Sequence, residues 1–238
     1  MSIQVSGLSK NFGKQKAVNS ISFTIQEGEI VGFLGPNGAG KSTTLKMLMG
    51  HLTADEGFAK IDELDVIKDH LAIKKIIGYL AENNPLYSEM YVKEFLQFIG
   101  QMHQIPTKLL KNRIQVVIDL VGLQKEQTKK IHELSKGYQQ RVGIAQAILH
   151  DPKILILDEP TSGLDPNQMT EIRNLIKQLS PGKIILFSSH LLSEVEAICD
   201  RILLINEGNL KADYSLDHIQ KSLGGLEQFF KKETQKNQ

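Results

Sequence analysis

Three observations predict an α/β fold. Beyond residue 151, apolar runs at 154–157, 184–187 and 202–205 alternate with helical patterns over about 167–179 and 191–198. That alternation is expected of parallel strands covered on both faces and joined by crossover helices. A glycine-rich loop at 35–42 separates the apolar run Ile30-Val31-Gly32-Phe33-Leu34 from the helical pattern at 44–49. Between Tyr91 and His150 the period becomes helical, with Val92, Phe95, Leu96 and Ile99 in one stripe and Leu109, Ile114, Val117, Ile118 and Val121 in another. The chain therefore reads as an α/β core interrupted by a helical insertion.

Taken in order, residues 3–5 and 21–25 alternate apolar and polar side chains and form strands separated by glycine-containing turns. Residues 61–65 and 76–80 are short strand candidates. The core is assigned to 1–88 and 151–215, the insertion to 89–150 and a short tail to 216–238. The lysine-, glutamate- and glutamine-rich stretch from Gln228 on is expected to be frayed or loosely docked. The single cysteine, Cys199, excludes an intramolecular disulfide framework and reads as a buried structural thiol. With 28 basic against 27 acidic side chains in 238 residues, no global field points to nucleic acid. No run reaches the ~18–20 apolar residues of a membrane span, and the N-terminus lacks the layout of a signal peptide, so a soluble intracellular polypeptide is expected.

Gly35-Pro36-Asn37-Gly38-Ala39-Gly40-Lys41-Ser42 is a complete G-x-x-x-x-G-K-S loop in the strand–loop–helix setting that the motif requires. Its glycines let successive N–H groups face phosphate oxygens, and the following helix, entered through Thr43, presents its positive end. Lys41 is expected at the β- and γ-phosphates and the Ser42 hydroxyl at Mg²⁺. At the end of the run 154–157 stand two carboxylates, where α/β sheets place their ligands. Asp158 suits the Mg²⁺ shell and Glu159 suits activation of a water for in-line attack. His190, just beyond the next core strand, is expected to contact the γ-phosphate and hold that water; the other histidines read as ordinary. Ser135 is placed as the N-cap of a helix in Leu134-Ser135-Lys136-Gly137-Tyr138-Gln139-Gln140-Arg141, a second anion-binding helix end.

These motifs in this order resemble the ATP-binding cassette (ABC) ATPases over essentially the whole chain. The resemblance implies a P-loop NTPase core with a RecA-like parallel sheet, an N-terminal antiparallel β subdomain and an inserted helical subdomain. It identifies 134–138 with the family's Leu-Ser-Gly-Gly-Gln signature, Ser162-Gly163-Leu164-Asp165 with its D-loop, His190 with its switch histidine and Phe12 with its adenine-stacking aromatic. It also implies that two copies dimerise head to tail around two Mg-ATP, so that Ser135 and Gly137 of one copy meet the nucleotide on the other copy's Lys41 loop. A separate integral permease would hold the pair at the cytoplasmic face of the membrane. The likeness is nearest to exporter cassettes, including those of multidrug export and gliding motility, and is carried by residues 77–87. There Glu82 replaces the family's usual glutamine and is expected to add a carboxylate to the Mg²⁺ site. Lys136 and Tyr138 depart from the signature. The competing readings are a soluble mechanical ATPase acting on ribosomes or nucleic acid, and a non-hydrolysing ATP sensor. One cassette, no long coiled coil and the retained Lys41, Asp158, Glu159 and His190 argue against both.

Overall fold

The computed structural model describes residues 1–234. In chain order, the first segment holds β1 (Ser2–Phe12), β2 (Gln15–Gln26), β3 (Ile30–Leu34), α1 (Lys41–Leu48), β4 (Glu56–Ile61), β5 (Leu64–Asp65) and α2 (His70–Ile76). Next come β6 (Ile77–Leu80), α3 (Val92–Met102), α4 (Thr107–Val121), a 3₁₀ turn (Ile131–Glu133), α5 (Lys136–Ile148), β7 (Ile154–Asp158) and α6 (Pro166–Leu179). The chain ends with β8 (Ile184–Ser189), α7 (Leu192–Ile198), β9 (Arg201–Asn206), β10 (Asn209–Ser215), α8 (Leu216–Ser222) and α9 (Leu226–Thr234). These form two compact units, one of Met1–Lys74 with the chain from Ser180 on, the other of Lys75–Leu179.

In the first unit, β1 pairs antiparallel with both β2 and β4, and β4 with β5. Alternate residues Ile3 and Val5 of β1, and Ile21, Phe23 and Ile25 of β2, are buried while their neighbours face solvent, as period-2 patterning requires. The same unit holds β3 between parallel neighbours β8 and β9, with β10 antiparallel on β9. Every residue of β3 and of β8 is buried, which explains the apolar runs at 30–34 and 184–187; Ser188 and Ser189 form a buried polar end to β8. Cys199 is buried as expected, its thiol pushed up by desolvation and by the nearby Asp200 and Glu194 carboxylates. The Arg201 guanidinium pairs with Asp213 at 2.6 Å and Glu29 at 3.1 Å, joining β9 to β10 and to the entry of β3.

In the second unit, β6 and β7 pair in parallel, Leu80 opposite Leu157. The stripes of α3 and α4 are buried at Val92, Phe95, Leu96 and Ile99 and at Leu110, Ile114, Val117, Ile118 and Val121. Arg113 of α4 donates to the carbonyls of Ile148 and Leu149 at 2.8 and 2.9 Å, satisfying the last turn of α5. The expected insertion at 89–150 lies wholly in this unit, which also takes in β6, β7 and α6.

Three local expectations are corrected. Residues 61–65 are not one strand: Asp62 adopts φ 50°, and Ile61 and Leu64 pair across the resulting turn. Leu109 is not part of the buried stripe of α4 but is 62% exposed, with Leu110 taking the inward position. The stretch from Gln228 is neither frayed nor loose as far as it is described; it continues α9, whose Leu226 and Phe229 are buried one helical turn apart. Positions 235–238 lie outside the described residues. Elements with no assignment from sequence are α2, β10, α8 and α9, and of β4 only Ile61 fell within a candidate strand.

Candidate nucleotide site

The phosphate loop forms as its motif predicts. Gly35 follows directly on β3, and a Cβ there would run into the Ile205 carbonyl. Gly40 adopts φ 110°, and a Cβ would press on the Ala17 carbonyl at 2.5 Å, so only glycine fits the turn that starts α1. The first helical bond runs from the Thr44 amide to the Gly40 carbonyl at 2.9 Å, which leaves the positive end of α1 at Gly40–Thr43. Pro36, Asn37 and Gly38 form the outer arc, with Asn37 and Gly38 exposed, and Ala39 is buried beneath. Lys41 is buried, and its ammonium donates to the carbonyls of Gly35 at 2.7 Å and Pro36 at 3.3 Å. A lysine curled over its own loop is poised to exchange these neutral acceptors for phosphate oxygens.

Two further candidates lie in the same unit. Leu34 pairs with Ser189, so the loop after β3 and His190 after β8 leave the carboxyl ends of adjacent parallel strands. Ser189 Oγ donates to the buried Glu194 carboxylate at 2.9 Å and accepts from the Leu191 amide at 3.0 Å. These two hydrogen bonds pin the turn on both sides of His190, whose side chain is exposed. Phe12 ends β1 at the tip of the first hairpin, opposite Gln15. It is 52% exposed, which rules out a core position and leaves a free aromatic face; the Lys10 ammonium lies 6.0 Å from its ring centre.

The second unit gathers the carboxylates. Asp158 ends β7 and Glu159 follows it, 2% and 6% exposed. Glu159 adopts φ 50°, a left-handed backbone uncommon for a side chain with a Cβ. Glu82 leaves the carboxyl end of β6, the parallel neighbour of β7. Tyr79 in β6 registers both acids: its phenol is pushed up to about 12, first by burial and then by Asp158 and Glu82. Ser135 occupies the expected N-cap position of α5 with extended backbone, and its side chain makes no capping bond. The exposed Ser135 hydroxyl and the buried Gly137 line a cavity of about 200 Å³ with Tyr138, Arg141, Gln168 and Glu171.

Among the described residues, no three His, Cys, Asp or Glu side chains converge to hold a metal by themselves. The expected donors, the Ser42 hydroxyl and the Asp158 and Glu82 carboxylates, are all hard oxygens, the chemistry that Mg²⁺ selects when it arrives with phosphate. Those residues fit the ion. Also among the described residues, no helix is long and apolar enough to cross a membrane.

Sequence reasoning missed a pair of rings and a connector. His103 and His150 stack at 3.9 Å with an interplanar angle of 6°. No spacing rule signals such a pair. Gln140, two residues past the signature, donates to the Pro160 carbonyl at 2.6 Å.

A family model described as ABC transporter matches residues 18–162, more than half of the chain. An uncharacterized ABC transporter ATP-binding protein of Bacillus subtilis (strain 168), YhcH, is 42% identical over 210 residues, which is 87% of this chain and 68% of that protein. The bacitracin transport ATP-binding protein BcrA of Bacillus licheniformis is 39% identical over 221 residues, 92% of this chain and 71% of that protein. Among solved structures, a dimeric bacterial ABC transporter cassette, MJ0796, superposes with a TM-score of 0.81 at 26% identity, covering 90% of this chain and 98% of that one. With the phosphate loop, the paired carboxylates and the signature helix all formed, the chain belongs to the ABC transporter ATP-binding family.

Proposed function

We propose that this chain binds and hydrolyses ATP as a homodimer and thereby drives export through a separate integral membrane permease, which holds it at the cytoplasmic face of the membrane. The observation that carries the reading is the pair of buried carboxylates at the end of β7, Asp158 and Glu159, in a chain whose Lys41 loop is fully formed. Buried acids at a strand end are costly unless a cation or a reaction uses them. The dimeric solved cassette supports pairing, and the bacitracin transport relative supports a role in transport.

In this reading Lys41 and the amide-rich end of α1 bind the β- and γ-phosphates, and Phe12 stacks on the adenine. Ser42, Asp158 and Glu82 hold Mg²⁺, which when bound supplies neutralisation of the phosphate charge. Glu159 accepts the proton of the attacking water while His190 steadies the γ-phosphate, and the products are ADP and phosphate. Ser135 and Gly137 of the second copy close on the same nucleotide, so two bound triphosphates favour a closed dimer and hydrolysis reopens it.

Mutation of the two central residues separates binding from chemistry. Lys41→Ala is expected to weaken ATP binding by about 10- to 100-fold, the loss of a charge-assisted contact to phosphate. Glu159→Gln is expected to keep ATP affinity and lose about 100-fold or more in turnover. Steady-state hydrolysis and equilibrium binding of a fluorescent ATP analogue check both. A Glu159→Gln protein that turns over at the parental rate removes the base assignment.

A further inference from the structure

Three consecutive side chains at the start of α5 reach three different parts of the second unit. Gln139 donates to the carbonyls of Ile131 and Leu134, both at 3.2 Å. Arg141 donates to the Val121 carbonyl at 2.6 Å and pairs with Glu171 at 2.5 Å. Gln140, between them and half-buried, donates from Nε2 to the buried Pro160 carbonyl at 2.6 Å.

The Gln140 bond lands in a stretch of consecutive turns. Glu159 stands at φ 50°. After it, the Glu159 carbonyl accepts from the Ser162 amide at 3.0 Å and the Thr161 carbonyl from the Leu164 amide at 3.2 Å. Those two bonds are local and turn with the loop. The carbonyl between them, Pro160, is held from outside, by a side chain of the signature helix. A second contact joins the same two segments: the end of the flexible Lys136 side chain lies against Gly163, in the space a Cβ there would take.

We infer that Gln140 is a positioning residue for Glu159: by fixing the Pro160 carbonyl it sets the backbone that aims the carboxylate, and it links that aim to the nucleotide-facing start of α5. The inference rests on the assignment of Glu159 as the base. Gln140 touches neither substrate nor reacting atoms in this account. Its loss therefore acts on turnover and leaves the affinity of the Lys41 loop intact, since a misplacement of about 1 Å at a reacting group costs about 100-fold in rate.

The test compares Gln140→Met, which keeps length and removes the donor, with Gln140→Lys, which is one bond longer and restores a donor. On the purified chain, Gln140→Met is expected to lower kcat by about 10- to 100-fold with the ATP dissociation constant within about twofold of parental. Gln140→Lys is expected to recover most of kcat. A thermal melt of each variant corrects for folded fraction. The inference is overturned if the two variants have equal kcat, if kcat is parental in both, or if affinity falls in step with turnover. Glu159→Gln run alongside keeps the two claims apart: parental turnover there removes the base assignment and this inference with it, whereas a dead Glu159→Gln beside an active Gln140→Met removes the inference alone.

Discussion

Glu159 combines an acid, near-complete burial and a left-handed backbone in one residue. For a residue with a Cβ that backbone costs about 1–2 kcal/mol, and it persists because the turn bonds of residues 159–164 and Gln140 hold it. His150 shows the opposite use of burial. Its Nε2 lies 3.0 Å from the Ile77 carbonyl and its pKa is lowered to about 4, first by desolvation, then by His103 and Arg113, against raising contributions from Ile77 and Asp151. Burial lowers His103 as well. A histidine whose folded pKa lies below its unfolded value near 6.5 takes up its proton more readily when unfolded. Its neutral form is therefore fully compatible with the fold above pH 6.5, and stability is lost as pH falls from 6.5 toward 4. Discounted for a partly solvated ring, the loss is about 1–2 kcal/mol. Urea unfolding at pH 7.5 and pH 5 is expected to show this drop in the parental chain and a smaller one in His150→Leu; parallel losses in the two proteins would contradict it. The glycines of the phosphate loop were legible because their constraint is local: spacing alone says where the backbone must curl. The His103–His150 stack was not, because it depends on how the ends of α3 and α5 meet, and neither residue carries a local signal.

At the scale of elements, the strands and helices found from sequence are those whose pattern is strong by itself. Continuous apolar runs gave β3, β7, β8 and β9, and helical stripes gave α3 and α4. What escaped is short or mostly exposed. Of β10 only Ala212 is buried, and of α2 only Ile73, so neither shows a period. The C-terminal helices were hidden by composition. Gly224 and Gly225, at φ 76° and 92°, turn the chain between α8 and α9, and a lysine- and glutamate-rich surface masks the few buried contacts at Ile219, Leu226 and Phe229. Phe229 also meets the Tyr214 ring edge-on at 6.0 Å. Phe229→Ala is accordingly expected to destabilise by about 3 kcal/mol and to raise hydrogen exchange across α8 and α9 ahead of β3 and β8. Unchanged exchange there would show that the helix gains nothing from this packing.

For the whole molecule, the account rests on one claim: a second copy of this chain completes the nucleotide site. Each compact unit ends its parallel strands in chemistry, the Lys41 loop and His190 in the first, Glu82, Asp158 and Glu159 in the second. The second unit also presents Ser135, a helix-capping residue whose hydroxyl does no capping, beside Gly137 at an open cavity. In the proposed dimer this helix end meets the nucleotide held by the other copy's phosphate loop. Sequence indicated the pairing only through resemblance to ABC cassettes; the uncapped serine is the structural feature that gives it a physical basis. Light scattering on Glu159→Gln, with and without saturating Mg-ATP, tests the claim most directly. The account predicts a doubling of mass on adding nucleotide, abolished when Ser135→Arg is combined with Glu159→Gln. A protein that binds ATP and keeps the mass of a single chain at every concentration would contradict it.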